Sequence, residues 1–233
     1  MKKIALMTAG GDCAGLNSVI KAVVMAAMEK GIVVVGIMDG YIGFVEKRYI
    51  VLDRNIVNDI ETTGGTSNNE CPFHYPSEED KSKYEDKVPA SIKALRKIGV
   101  EGMIIVGGDG TLDSARVIHE AGMPVVGIPK TIDNDMVASN PTIGFETALE
   151  NAVDAIRKLK TTAYSHRRVI VVEMMGRTSG YLTLYGGFAA GADIILLPEV
   201  DYNLDVVCSK VKEIMTSGKR YVIIAASEAA KER

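Results

Sequence analysis

Two short polar runs, each directly after a hydrophobic run, contain the residue types that phosphoryl transfer needs. Gly-Gly-Asp-Gly-Thr occupies positions 107–111, and Pro-Lys-Thr-Ile-Asp-Asn-Asp occupies positions 129–135. A glycine-rich turn lets backbone N–H groups approach a phosphate, and the positive end of the following helix favours the same anion. Carboxylates and a threonine hydroxyl can hold a metal ion and take a proton from an alcohol. Together the two runs indicate phosphoryl transfer to a hydroxyl group.

Each polar run also has a purely structural interpretation. Asp109 can cap the helix that follows it, and the aspartates of 131–135 suit an Asx turn. A third run, Gly-Gly-Asp-Cys-Ala-Gly at 10–15, fits a strand-to-helix turn as well as a phosphate site, and it matches no dinucleotide or P-loop fingerprint. The 107–111 string also occurs in lipid kinases and NAD kinases, so alone it predicts a phosphate site and no family. Asp133 is the candidate base.

Alternating apolar runs and amphipathic stretches must position these residues. The apolar runs predict strands at 4–8, 33–38, 103–106, 125–128, 169–172, 194–197 and 221–225. The amphipathic stretches predict helices at 16–30, 89–98, 112–121, 145–159 and 204–216. This alternation is typical of an α/β fold with doubly wound, mostly parallel sheets and helices on both faces. Ligands bind beyond the carboxyl ends of such strands, where the polar runs lie, and Glu228 follows the last predicted strand in the same way.

Composition limits the classes of partner and compartment. The chain has 233 residues, 47% hydrophobic content and a net charge of −3, which gives no electrostatic case for nucleic acid or an anionic membrane. No apolar run reaches membrane-spanning length, and the apolar start breaks at Thr8, which predicts a first strand and no export signal. Cys13, Cys71 and Cys208 are scattered and odd in number, which favours a reducing compartment, the cytoplasm. Residues 61–86 predict a long surface loop.

The order and spacing of eight short strings resemble the phosphofructokinases over the whole chain. The strings lie at 8–12, 39–43, 64–66, 107–111, 129–135, 142–145, 174–177 and 198–200. The resemblance implies a doubly wound α/β kinase of two lobes, with a phosphate-donor lobe at 1–138 and a sugar-phosphate lobe, incomplete, at 139–233. It also implies Mg²⁺-dependent transfer of a phosphoryl group from ATP or pyrophosphate to the 1-hydroxyl of fructose 6-phosphate, a step of glycolysis, by a homodimer or homotetramer.

Carried over position by position, the resemblance implies roles for individual residues. The donor site would be lined by Gly11, Tyr41, Gly108, Gly110 and Thr111, with Asp109 on the metal ion. Thr131 and Asp133 would meet the reacting end of the sugar, and Asp135 would bind the substrate near the metal ion held by Asp109. Met175, Gly176 and Glu228 would contact the sugar, and Arg177 would offset charge on the transferring group. Arg168 would reach the sugar phosphate of a neighbouring subunit.

Three departures from the family pattern bear on the reaction. Glycine at 110 goes with ATP, whereas lysine at 130 is typical of pyrophosphate users and also occurs in one ATP-using subgroup; sterics favour ATP. No arginine stands at 67–72, where the bacterial ATP enzymes have one on the donor phosphates, so Lys130 is expected to supply that charge. The chain ends soon after Glu228, which predicts weak fructose 6-phosphate binding and an exposed apolar lobe face. The alternatives are a pyrophosphate-dependent enzyme and a non-catalytic nucleotide-binding subunit.

Overall fold

The computed structural model describes residues 1–63, 87–137, 139 and 141–233, and it divides them into two units, Met1–Thr131 and Ile132–Arg233. The predicted loop at 61–86 and the string at 64–66 lie almost wholly outside the described residues, as does the segment 67–72. Within the described residues no helix is both long enough and apolar enough to cross a membrane.

The first unit is a sheet covered by helices. Its elements are β1 Lys3–Thr8, α1 Leu16–Glu29, β2 Val33–Ile37, α2 Gly40–Glu46, β3 Tyr49–Leu52, α3 Arg54–Val57, α4 Val88–Lys97, β4 Gly102–Gly107, α5 Asp109–Glu120 and β5 Val125–Thr131, with a 3₁₀ turn at Ile60–Thr62. The strand order within this unit is β3-β2-β1-β4-β5. All neighbours are parallel except β3, which runs antiparallel to β2. The doubly wound, mostly parallel α/β fold predicted from the sequence is confirmed.

Alternate residues of β1 enter two different cores. Ala5 and Met7 pack on one side of the sheet against α2, α4 and α5, whereas Ile4 and Leu6 pack on the other side against α1 and α3. Successive side chains of a strand point to opposite faces, so a continuous apolar run is what a sheet buried on both faces requires. Each fully buried aliphatic side chain contributes about 1.5–3 kcal/mol, so both cores hold the strand ends in place.

The second unit has its own, smaller sheet. Its elements are β6 Ile143–Gly144, α6 Phe145–His166, β7 Val169–Met174, α7 Tyr181–Ala190, β8 Ile194–Leu196, α8 Leu204–Thr216 and β9 Val222–Ser227. Strands β7, β9 and β8 lie in that order and are all parallel. Helices α6 and α7 cover one face, with Phe145, Ile156, Leu182 and Ile223 in the core. On β7, Val169 and Val171 stay 42% and 61% exposed, in line with the exposed apolar face expected from the sequence.

Most predicted elements are present, and the differences have local causes. Helix α5 begins at Asp109, not at Leu112, and β5 continues to Thr131, so Lys130 and Thr131 are strand residues and not loop residues. Helix α6 runs on to His166. Strand β3 and helices α2, α3 and α7 were not predicted. Helix α7 was missed because its glycines suggested a turn. A Cβ on Gly186 would lie 2.8 Å from Met174 Cε, so glycine there permits close packing of α7 on the sheet.

Candidate active site

The glycine turn of the first unit, residues 107–111, connects β4 to α5. A Cβ on Gly107 would lie 2.4 Å from the Thr111 side chain, so only glycine lets this helix start so close to the strand. Gly108 is the N-cap residue of α5, and no side chain caps the helix. Uncapped N–H groups at a helix start, together with the positive end of the helix dipole, favour an anion. The 12-residue helix therefore points an anion-binding end at the carboxyl edge of the sheet.

Gly110 and Gly11 have no packing reason to be glycine. At both positions a Cβ would have no described heavy atom within 4 Å outside its own residue, the two chain neighbours and, at Gly110, the backbone of the helix itself. Neither residue has a positive φ, unlike neighbouring Gly10 at +87°. Glycine inside a helix lowers its stability by up to about 1 kcal/mol relative to alanine, and at Gly110 no close packing contact compensates this loss. Space kept open at these two positions is space for a ligand.

Lys130 supplies a positive charge to the same edge. It lies on β5 and is 3% exposed, and its Nζ donates a hydrogen bond to the carbonyl of Gly11. A Cβ on Gly10 would lie 3.6 Å from that Nζ. A lysine is rarely buried unless its ammonium has a partner. The sequence placed Lys130 in a loop, but the strand is what holds its ammonium against the Gly10–Gly11 turn.

Tyr41 and Thr111 pack against the glycine turn and the Gly10–Gly11 turn. Both are buried, and the Tyr41 hydroxyl donates to the Thr111 carbonyl at 2.8 Å. Thr111 Oγ1 lies 3.2 Å from the position of a Cβ on Gly10, so the threonine also fills the space next to Gly10. The two residues predicted to line the donor site therefore shape the glycine turn through its backbone.

Asp109 is the first residue of α5, and its side chain is exposed. The described residues contain no group of three or more His, Cys, Asp or Glu side chains that could hold a metal ion by themselves. Mg²⁺ in phosphoryl-transfer sites is usually held by one or two carboxylates together with the substrate phosphates and water. A single exposed carboxylate at a phosphate-binding helix start fits a metal ion that arrives with the phosphates.

The end of β7 carries the arginine loop of the second unit, residues 175–180. Strands β7 and β9 end side by side, with Met174 opposite Ser227, and Glu228 N–H donates to the Met174 carbonyl at 2.9 Å. Glu228 Oε1 accepts hydrogen bonds from two backbone N–H groups of the loop, Gly176 at 3.1 Å and Arg177 at 2.8 Å. The predicted neighbourhood of Glu228 and the Met-Gly-Arg string is therefore present.

The backbone of the arginine loop is held in an unusual conformation. Gly176 has a φ of 151° and Arg177 a φ of 50°, in the region that non-glycine residues seldom occupy. A Cβ on Gly176 would lie 2.4 Å from the carbonyl oxygen of Ser179, so glycine is required there. The Arg177 side chain and Met175, which is 61% exposed, lie at the surface of the unit. Two hydrogen bonds to one carboxylate compensate this strain.

The aspartate turn, residues 133–135, precedes α6 in the second unit. Asn134 has a φ of 52°, and its Oδ1 accepts a hydrogen bond from the backbone N–H of buried Thr142 at 3.0 Å. The amide between the two aspartates is therefore a structural brace between segments eight residues apart, a longer span than the two residues of an Asx turn. Asp133 is half-buried and Asp135 is exposed. The brace leaves two carboxylates of different exposure in one turn.

Arg168 lies at the opposite end of β7 from the arginine loop. It directly precedes the strand, and six strand residues span about 20 Å. The described unit therefore does not bring Arg168 to Arg177 and Glu228. That separation is compatible with its predicted contact to a neighbouring subunit, which stays a prediction.

Two residues near the site were not predicted from the sequence. Glu199 Oε1 accepts the Gly180 N–H at 2.7 Å, and the Ser179 hydroxyl donates to the carbonyl of Asp133 at 3.0 Å. Glu199 follows β8 just as Glu228 follows β9, so the position of a carboxylate after a strand was the available signal. Ser179 gave no such signal because a single serine in a polar loop is common.

Comparison with known proteins decides the family. The sequence profile of the family described as phosphofructokinase matches residues 3–233. The chain belongs to the phosphofructokinase family. It is 43% identical to an ATP-dependent 6-phosphofructokinase 2 of Clostridium perfringens, over all of this chain and 66% of that protein. It is also 43% identical to an ATP-dependent 6-phosphofructokinase of Halothermothrix orenii, over 98% of this chain and 67% of the relative.

Solved phosphofructokinase structures share the fold of the chain. The phosphofructokinase of Saccharomyces cerevisiae superposes with a TM-score of 0.90 at 30% identity, over all of this chain and 34% of that chain. A pyrophosphate-dependent phosphofructokinase of Marinobacter aquaeolei, at 22% identity, has a TM-score of 0.84 over all of this chain and 62% of its own, and shows the fold alone. The chain spans about two thirds of the length of the curated phosphofructokinases it matches.

Proposed function

We propose that this chain transfers the terminal phosphoryl group of ATP to the 1-hydroxyl of fructose 6-phosphate, giving fructose 1,6-bisphosphate, a step of glycolysis. The observation that carries the proposal is the empty space at Gly110, at the uncapped start of α5. No described atom beyond the backbone around Gly110 lies in that space, and a side chain there would fill the volume that the α-phosphate of a nucleotide takes in this proposal. The relatives at 43% identity are named as ATP-dependent enzymes, which supports the same donor.

The first unit binds the donor in this proposal. The N–H groups at the start of α5, from Gly108 to Thr111, bind phosphate oxygens, and Gly11 leaves room beside them. Asp109 would hold Mg²⁺, which would supply positive charge against the donor phosphates. Lys130 adds a fixed positive charge where charge develops during transfer.

Residues of the second unit, together with Thr131 at the end of β5, prepare the acceptor. Asp133 takes the proton of the attacking hydroxyl as general base, and Thr131 orients that hydroxyl. Arg177 offsets negative charge on the group in transfer. Met175, Gly176 and Glu228 contact the sugar. Because Glu228 Oε1 already accepts hydrogen bonds from two backbone N–H groups, the proposed hydrogen bond to the sugar is made by Glu228 Oε2.

The assembly and compartment are part of the same proposal. We propose a homodimer or homotetramer in which Arg168 binds the sugar phosphate held by a neighbouring subunit. The position of Arg168 at the far end of β7 from Arg177 supports this role. A net charge of −3 and three scattered cysteines support a cytoplasmic protein that binds no nucleic acid and no membrane.

A second candidate is a pyrophosphate-dependent enzyme, and Lys130 favours it. Its ammonium is held at the Gly10–Gly11 turn. Pyrophosphate has no nucleoside to contribute binding energy, so a fixed charge at the phosphates contributes a larger share of its affinity. Gly110 argues the other way, since a short donor does not need the space there.

A coupled assay of the 233-residue chain tests the proposal. Fructose 6-phosphate and Mg²⁺ are supplied with ATP in one sample and with pyrophosphate in the other, and a third sample contains ATP and EDTA. Turnover with ATP that EDTA abolishes supports the proposal. Turnover with pyrophosphate alone supports the second candidate. No turnover with either donor in a protein that still binds ATP contradicts both and supports a non-catalytic nucleotide-binding subunit.

A further inference from the structure

Ser179 makes two hydrogen bonds, and each serves a different loop. Its N–H donates to the Gly176 carbonyl at 2.8 Å, which closes the arginine loop on itself. Its hydroxyl donates to the carbonyl oxygen of Asp133 at 3.0 Å, 46 residues away in sequence. The residue is 7% exposed, so water competes little for either bond. One buried side chain therefore ties the arginine loop to the aspartate turn.

Three further N–H groups of the arginine loop are bound by carboxylates that follow two other strands. Glu228 accepts from Gly176 and Arg177, and Glu199 accepts from Gly180. These bonds orient the loop with respect to the sheet, since Glu228 follows β9 and Glu199 follows β8. They make no contact with the aspartate turn. The Ser179 hydroxyl bonds the loop directly to this turn.

The bond acts on the Asp133 backbone and not on its carboxylate. Fixing the carbonyl of a residue fixes the peptide plane that contains its Cα, which restricts the directions that the Cα–Cβ bond can take. Catalysis by a general base requires its oxygen within hydrogen-bond reach of the proton it takes. A displacement of about 1 Å can cost a hundredfold in rate. A small change in the aspartate turn therefore affects the chemical step more than the fold.

We infer that Ser179 is a positioning residue whose hydroxyl sets the separation between the Asp133 carboxylate and the Arg177 side chain. This inference rests on the proposed function, in which Asp133 is the base and Arg177 offsets the charge on the transferring group. Ser179 is buried and uncharged, and it acts through the backbone of Asp133. The neighbouring hydroxyl of Thr178 is exposed and provides a matched control in the same loop.

The test compares Ser179→Ala, Ser179→Thr and Thr178→Ala with the unmodified 233-residue chain. Steady-state assays give kcat and the KM for ATP, and thermal unfolding gives Tm. Hydrogen exchange of residues 132–137 is followed without substrates, so that one measurement does not depend on activity. We expect Ser179→Ala to lower kcat about tenfold, to leave the KM for ATP unchanged and to speed exchange in 132–137. Ser179→Thr keeps a hydroxyl and restores kcat, and Thr178→Ala behaves as the unmodified chain.

Several results would overturn the inference. Two of them are a kcat of Ser179→Ala within twofold of the unmodified chain and an unchanged exchange rate in 132–137. A fall in kcat matched by Thr178→Ala, or a fall that Ser179→Thr does not restore, also contradicts it, because the hydroxyl is then not the cause. If the unmodified chain shows no turnover, the proposed function fails, and the exchange measurement alone decides whether Ser179 holds the turn.

Discussion

The glycine turn of the first unit and the arginine loop of the second unit both follow a parallel strand, yet they are built in opposite ways. In the glycine turn the N–H groups at the start of α5 have no side-chain cap, and Gly110 faces open space. In the arginine loop the N–H groups of Gly176, Arg177 and Gly180 are all bound by carboxylates. One loop keeps its donors available, and the other uses its donors to fix its own shape.

The difference follows from what each loop is proposed to bind. A polyphosphate is recognised by backbone N–H groups, so those groups must stay available and glycines must leave room for it. An arginine that acts at one atom needs a fixed direction, and a loop with φ values of 151° and 50° needs bonds to hold it. Substitutions are therefore expected to affect binding in the first loop and shape in the second.

The largest effect is expected at the aspartate turn, where we predict that Asp133→Asn lowers kcat by about 10²–10⁴-fold. The substitution removes the base but keeps the backbone carbonyl that accepts the Ser179 hydroxyl, so Tm is expected to stay unchanged. Steady-state assays and thermal unfolding measure the two quantities. Asp135→Asn is the control, because that carboxylate is exposed in the same turn. A greater loss of kcat in the control would assign the base to Asp135.

For Lys130, whose ammonium bonds the Gly10–Gly11 turn, we predict that Lys130→Met lowers kcat/KM for the donor ten- to hundredfold, since hydrogen bonds and charges at phosphates are strong. Inhibition by pyrophosphate is expected to weaken with it, which a purely structural role of the Gly11 contact would not cause. Lys21→Met changes the net charge equally at a lysine paired with Glu61 and is expected to leave both constants unchanged. Unchanged inhibition by pyrophosphate in Lys130→Met would remove the lysine from the donor site.

In the arginine loop, a substitution is predicted to lower stability by disturbing the loop conformation. Gly176→Ala places a Cβ 2.4 Å from the Ser179 carbonyl at a φ of 151°, and we expect a loss of about 2–4 kcal/mol in the free energy of unfolding of the second unit. Chemical denaturation measures it, and kcat is expected to fall roughly tenfold. Thr178→Ala should leave both unchanged. Full stability in Gly176→Ala would show that the loop adopts another conformation at little cost.

Sequence patterns predicted the apolar parallel strands and the loops that follow them, because such strands are continuous apolar runs, but they missed the short strands β3 and β6. The 204–216 helix was predicted to the residue, since its apolar spacing and Gly218 mark both its face and its end. The α5 start and α7 were missed, because glycines at 107, 186 and 187 suggest turns whereas each in fact permits close packing. The Ser179 bond depends on the meeting of two loops 46 residues apart, which no local pattern records.

The smallest effect should be the most direct test of the contrast between the two loops. Gly110→Ala adds a methyl group that meets no described atom within 4 Å outside the adjoining backbone, so we predict a gain in stability of up to about 1 kcal/mol. The KM for ATP should rise several-fold, since the same methyl group intrudes on the proposed phosphate space, and kcat should change little. Glu120→Ala, at the other end of α5, should leave this KM unchanged. A more stable Gly110→Ala with an unchanged KM for ATP would show that the donor does not occupy the open space. A gain in stability together with weaker ATP binding is what we expect of a loop whose open space binds a ligand.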